Sequence, residues 1–114
     1  MIDHTNNNAP LVSVLLISYN NCEFIYEALD SIIEQSYCNI ELIVSDDHSI
    51  HFERKHLQKY VEKRKNSNIK NVIVNRNPKN VGTVRHLDLL RKISTGQFIC
   101  TIAADDKFCS NEAI

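Results

Sequence analysis

Long apolar runs are missing from this sequence. The longest, 14–17 (Val-Leu-Leu-Ile), is of strand length, whereas a membrane-spanning helix needs ~20 consecutive apolar residues. No spanning segment is therefore expected. The first ten residues are polar and Asn-containing, with neither the basic nor the apolar region of a signal peptide; 1–10 reads as a disordered leader. A surplus of charge is missing too. Lys and Arg number 13 against 14 Asp and Glu, a formal net charge of −1, which argues against nucleic acid as the main partner because phosphate backbones are met by basic surfaces. The four cysteines (Cys22, Cys38, Cys100 and Cys109) form no C-x-x-C pair and have no histidine at zinc-ligand spacing. They are expected to be reduced, mostly buried thiols of a cytoplasmic protein. Glycine occurs only twice. There is no G-x-G-x-x-G, no G-x-x-x-x-G-K-[ST] and no G-x-S-x-G, so a dinucleotide fold, a P-loop and a hydrolase nucleophile elbow are not expected.

What is present is a regular alternation of short apolar runs and amphipathic stretches. A chain of 114 residues, 43% of them apolar, makes one small domain with a single core. The run 11–18 (LVSVLLIS) has the look of a strand covered on both faces. Asn20 and Asn21 can cap a helix, with Glu23 at capping-box spacing from Asn20; Ile25, Ala28, Leu29, Ile32 and Ile33 then fall on one helical face. A second strand covers 40–45 and ends at Asp46-Asp47, with Ser49 placed to cap a following helix over 52–65 whose Leu57, Tyr60 and Val61 point inward. A third strand covers 70–75. A helix over 83–94 has Val84, Leu87, Leu90 and Ile93 inward and Gly96 as its C-terminal glycine. A fourth strand covers 98–103, and Ser110 can cap another helix. Such β-α-β alternation implies an α/β fold: a mostly parallel central sheet with right-handed crossovers and helices on both faces.

Ligands of open parallel sheets bind beyond the carboxyl ends of the strands. Three polar clusters are expected there: Ser18-Tyr19-Asn20, Asp46-Asp47 and Asp105-Asp106. If the first, second and fourth strands are neighbours, all three line one edge. Four carboxylates in one place repel unless a cation or hydrogen-bond donors lie between them. Mg²⁺ and Mn²⁺ prefer oxygen ligands and fill their shells with phosphate and water, so a metal-diphosphate ligand suits the cluster, and the flat ring of Tyr19 suits stacking on a base. Each Asp-Asp pair alone is equally well a turn and helix cap. His48 lies in a site loop, whereas His4, His51, His56 and His86 are expected at the surface.

VSVLLISYN (12–20), QSYCNIELIVSDDHS (35–49), NVGTVRHLDLL (80–90) and TGQFICTIAADD (95–106), in this order and spacing, resemble the start of a family 2 glycosyltransferase with the Rossmann-like, three-layer GT-A fold. The resemblance covers about 11–114 and implies the N-terminal nucleotide-binding portion of a longer, here truncated, domain. Residue by residue, it places Ile17 and Ser18 beside the nucleotide, Tyr19 on a uracil ring, and Asp47 on the base edge with Asp46 beside it. Asp105, with Asp106 after it, matches the end of a D-x-D motif that holds Mg²⁺ or Mn²⁺ on the diphosphate. The implied reaction is metal-dependent transfer of a sugar from a nucleotide-diphosphate sugar, UDP-linked, to a saccharide or lipid-linked acceptor hydroxyl with inversion, in polysaccharide biosynthesis. The catalytic base and acceptor site are implied to lie beyond 114, leaving no catalytic residue in this chain. The expected location is cytoplasmic, membrane-peripheral for the longer protein, and an apolar edge left by the absent half favours a homodimer. Three positions depart from the pattern: Ala103 replaces the first D-x-D aspartate, His48 a common glycine, and Asp88 a common asparagine. Ala103 cannot ligate a metal, which favours an alternative reading as a non-catalytic transferase-like module.

Overall fold

The computed structural model describes residues 9–20 and 22–114. Among the described residues four strands and three α-helices alternate: β1 (Val12–Ser18), α1 (Ile25–Ile33), β2 (Ile40–Asp46), α2 (Arg54–Arg64), β3 (Ile69–Arg76), α3 (Thr83–Ile93) and β4 (Phe98–Ala103). The strands form one sheet in the order β3-β2-β1-β4, and every pairing is parallel.

Strand alternation divides the sheet into two faces. Val12, Val14 and Leu16 of β1, with Ile40, Leu42 and Val44 of β2, pack against Ile25, Ala28, Leu29 and Ile32 of α1 and Leu57 and Val61 of α2. On the other face Leu15 and Ile43 meet Leu90 of α3. The chain is therefore a three-layer α/β/α unit with its main core on the α1/α2 side.

Several local expectations are corrected. Most of the leader, 1–8, lies outside the described residues, but Ala9 is buried. The Ala9 carbonyl accepts from Asn39 Nδ2 at 2.8 Å, and the Pro10 carbonyl accepts from the Tyr37 hydroxyl. Asn20 does not cap α1. Its backbone is left-handed (φ 58°), its N–H donates to Ser49 Oγ at 2.7 Å, and a 3₁₀ turn over Cys22–Phe24 leads into the helix with no side-chain cap. Asn21 lies outside the described residues. Ser49 is likewise drawn away from capping α2. Tyr60 points inward as expected, packing half-buried against the core, and donates its hydroxyl to Asp30 Oδ1 at 2.8 Å.

The helix α3 is rotated from its expected setting: His86 and Leu90 are its buried residues, while Val84 and Ile93 are 85% and 47% exposed. Beneath α3, Leu15 and Ile43, flanked by half-buried Ile17 and Ile73, pack on Leu90, while buried His86 meets Ser45 Oγ on β2. Gly96 lies beyond α3, whose last residue is Ile93 with Ser94 as its cap. It serves a close approach instead: a Cβ there would sit 2.5 Å from Ser13 Oγ and 2.6 Å from Ser13 N. Residues 109–112 form a bend and a turn, not the helix expected after Ser110, although Ser110 Oγ accepts from Glu112 N at 3.1 Å. The cysteines, expected mostly buried, are not: Cys22, Cys38 and Cys100 are half-buried and Cys109 is exposed.

Candidate functional site

Because all strands run the same way, their carboxyl ends share one edge. Ser18 pairs with Asp46 across β1 and β2, and Ile17 pairs with Ala103 across β1 and β4. The three clusters expected to line one edge do so. The order of the strands adds something the alternation alone does not fix. From β1 the chain builds outward to β2 and β3, then returns to place β4 on the other side of β1. The crevice between β1 and β4 is thus the topological switch point of the sheet, where ligands of open α/β folds bind.

Tyr19, directly after β1, and Asp105, two residues past the end of β4, stand at this switch point. Tyr19 is 51% exposed, a large ring at the edge and not in the core. Ile17 is half-buried, and its carbonyl accepts from Ala104 N at 2.9 Å, continuing the ladder past β4. Ser18 is buried and donates to Asp46 Oδ1 at 2.6 Å.

Asp46, the last residue of β2, and Asp47 after it are both buried and engaged. Asp46 accepts from Ser18 and, at the same Oδ1, from Ser49 Oγ at 2.7 Å; its Oδ2 takes Ser49 N–H at 2.6 Å. Asp46 therefore ties the β1 end to the β2–α2 turn. Asp47 faces the other way, into the loop 77–82. Its Oδ1 accepts from Asn77 Nδ2 and Val81 N, both at 2.9 Å. Its Oδ2 accepts from Asn80 Nδ2 at 3.0 Å and Gly82 N at 2.8 Å. Burial alone would raise the Asp47 pKa, but the donors from Asn77, Val81 and Gly82 outweigh it and hold the carboxyl below its usual value. Near the other end of β2, Glu41 is lowered in the same way: burial opposes ionisation, and Thr95, Ser13 and Asn71 donors overcome it.

The four carboxylates accordingly do not form one metal cage. Among the described residues, no group of three or more His, Cys, Asp or Glu is placed to hold a metal ion. Asp46 and Asp47 are satisfied by donors, while Asp105 and Asp106 are exposed in the turn after β4, where Asp106 N–H donates to the Ala103 carbonyl at 3.0 Å. Two solvent-facing carboxylates are a hard oxygen donor set. They fit Mg²⁺ or Mn²⁺ in the mode where one or two carboxylates share the ion with phosphate and water. His48, in the glycine position, keeps the left-handed backbone that a glycine would supply (φ 73°), and its Nδ1 lies 2.9 Å from the Asn77 carbonyl.

Sequence reasoning missed Asn77, Asn80, Ser45 and His86. Asn77 and Asn80 flank Pro78-Lys79 in a turn-rich stretch, which signals a loop but not its partner. His86, expected at the surface, is 2% exposed with Nε2 2.7 Å from Ser45 Oγ. Burial pushes its pKa down against the opposing pull of Asp47 and Asp46. A cavity of about 610 Å³ opens between the β1–α1 turn and the β2–α2 loop, lined by Cys22, Tyr26, Phe52, Glu53 and Leu57 among others; Tyr19, Asp47 and Asp105 are not part of it.

Residues 13–111 match the family model described as glycosyl transferase family 2. The chain is 33% identical over 99 residues to an uncharacterized glycosyltransferase of Haemophilus influenzae, covering 87% of this chain and 29% of that protein. It is 31% identical over 102 residues to the Escherichia coli UDP-Glc:alpha-D-GlcNAc-diphosphoundecaprenol beta-1,3-glucosyltransferase WfgD, covering 90% and 38%. The chain thus spans about a third of the length of the curated relatives it matches. Among solved structures, the Pyrobaculum calidifontis mannosyltransferase PcManGT, in complex with GDP-Man and Mn²⁺, superposes with a TM-score of 0.79 at 23% identity, over 97% of this chain and 31% of that one. S. aureus TarS 1-349 in complex with UDP gives 0.70 at 23% identity, over 85% and 28%. The sheet order and the helix layers are those of the GT-A fold. The chain belongs to glycosyl transferase family 2.

Proposed function

We propose that this member of glycosyl transferase family 2 supplies the donor-nucleotide site of a sugar transferase, in which a sugar passes from a nucleotide-diphosphate sugar to an acceptor hydroxyl with inversion. The observation that carries the reading is the pairing of an exposed tyrosine ring with two exposed carboxylates at the β1/β4 switch point. The ring of Tyr19 suits a base, beside Ile17 and Ser18. Asp46 and Asp47, buried and engaged by internal donors, give the base side of the edge its shape. Asp105 and Asp106 hold the diphosphate end through Mg²⁺ or Mn²⁺, which when bound neutralises charge on the departing nucleoside diphosphate.

UDP is the proposed donor nucleotide, supported by the UDP-glucose named for WfgD and the UDP held by TarS; the GDP-Man held by PcManGT makes GDP the competing candidate. The acceptor is proposed to be a saccharide or lipid-linked saccharide, as WfgD's name describes for that enzyme. No helix among the described residues is long and apolar enough to cross a membrane; a cytoplasmic, membrane-peripheral setting is proposed on the lipid-linked acceptor named for WfgD. A test is a calorimetric panel of UDP, GDP and ADP with Mn²⁺. Binding of UDP tighter than both others supports the reading; equal or absent binding of all three contradicts it. Ala103 and the lack of a third carboxylate favour the second reading, a non-catalytic module, and UDP binding indifferent to Mn²⁺ is the result that reading expects.

A further inference from the structure

The face of β2 beneath α3 carries polar side chains where apolar ones would ordinarily pack. Glu41, Ser45 and Asp47 alternate along it, interrupted only by Ile43, and all three are at most 3% exposed. Buried polar groups are costly unless paired, and each is paired to a different part of α3. Past the helix C-terminus, Thr95 donates to Glu41 from N at 2.9 Å and from Oγ1 at 2.8 Å. Within the helix, His86 Nε2 meets Ser45 Oγ at 2.7 Å. Before its N-terminus, Val81 and Gly82 donate to Asp47.

The middle contact does not stand alone. Asn75 Nδ2 donates to Ser45 Oγ and to Asn77 Oδ1, both at 3.0 Å. Asn77 Nδ2 then donates to Asp47 Oδ1. His86 N–H donates in turn to the Gly82 carbonyl at 2.9 Å. The path His86–Ser45–Asn75–Asn77–Asp47–Gly82–His86 is a closed ring. It joins β2, β3, the 77–82 loop and the first turn of α3. We infer that His86 is a positioning residue: through this ring it fixes Asp47 and the 77–82 loop at the carboxyl edge, where a nucleoside diphosphate would lie. The ligand half of this inference rests on the donor site proposed above; the ring itself rests on geometry alone.

The experiment compares the full chain with His86→Leu, which keeps the volume but loses the bond, and His86→Gln, which restores a polar group at the Nε2 position. It reads amide hydrogen exchange by NMR and UDP affinity with Mn²⁺ by calorimetry. In His86→Leu, exchange at Val81 and Gly82 is expected to speed about tenfold, and UDP affinity to fall by a similar factor, the scale of one lost hydrogen bond. The β1 amides of Val14 to Leu16 stay at wild-type rates, and His86→Gln recovers both readouts. Wild-type exchange at Val81 and Gly82 in His86→Leu overturns the ring, as does a Gln variant no better than Leu. Faster loop exchange with unchanged UDP affinity overturns the positioning role. If His86→Leu loses protection throughout the sheet, Asn75→Ala breaks the same ring from a half-buried position, and the same criteria apply to it. If no variant binds UDP, the donor-site reading and the ligand half fail together, and the exchange rates still decide the ring.

Discussion

At the scale of single residues, the edge is governed by how buried charge is satisfied. Asp47 is ionised in a buried place because four donors converge on it. Removing the carboxylate strands Asn77 and two backbone N–H groups, so Asp47→Ala is expected to lower unfolding free energy by about 2–4 kcal/mol, read as a fall in the urea midpoint. The titrations have a definite sign. Glu41 and Asp47 have folded pKa values below their ordinary 4.5 and 3.8, so the stability they contribute is present above those values and is lost as pH falls through the folded ones. His86 is also lowered from 6.5, with Asp46 and Asp47 as the charges facing it. The unfolded chain therefore takes up its proton first. Urea midpoints are expected to be level between about pH 6.5 and 8, to decline below that window, and to drop further in the carboxylate range. The decline that begins near pH 6.5 should be smaller in His86→Gln. Asp46 and Asp47 were legible as a strand-end pair, but their partners were not. Ser45 and His86 are 41 positions apart, a separation that periodicity does not reach.

At the scale of elements, local pattern served best where burial was broad. All five residues expected on the inner face of α1 are buried, because that helix covers a wide apolar sheet face. In α3 the apolar stripe misled: of the four residues expected inward only Leu90 is fully buried, and His86, bonded to Ser45, takes the other buried place. The two glycines make a matched pair of tests. A Cβ on Gly96 meets the Ser13 backbone N at 2.6 Å, so Gly96→Ala is expected to cost about 1–3 kcal/mol through overpacking. Gly82 has open space around it but a φ of +87°, so Gly82→Ala is expected to cost about 1 kcal/mol through backbone strain. Thermal unfolding of the two variants separates the causes: a compensating Ser13→Gly change should rescue part of the first loss and none of the second.

At the scale of the whole molecule, alternation of strand and helix implied a parallel sheet, and the structure has one. Alternation did not give the order β3-β2-β1-β4, because that depends on which side of β1 the last crossover lands. With that order known, Tyr19 and Asp105 flank the switch point. The chain spans about a third of its curated relatives, and none of its carboxylates is proposed as the general base that an acceptor hydroxyl needs. The 114-residue chain is accordingly expected to release no more UDP from UDP-glucose, with a saccharide acceptor present, than a buffer blank in a coupled assay.

The most direct test of the donor-site claim is calorimetric titration of UDP, with and without Mn²⁺, into this chain, Tyr19→Ala, and the Asp105→Ala, Asp106→Ala double variant. Binding that strengthens with Mn²⁺, weakens in Tyr19→Ala and loses its metal dependence in the double variant is the expected result. Equal UDP affinity in all three proteins, whether or not Mn²⁺ is present, would contradict it.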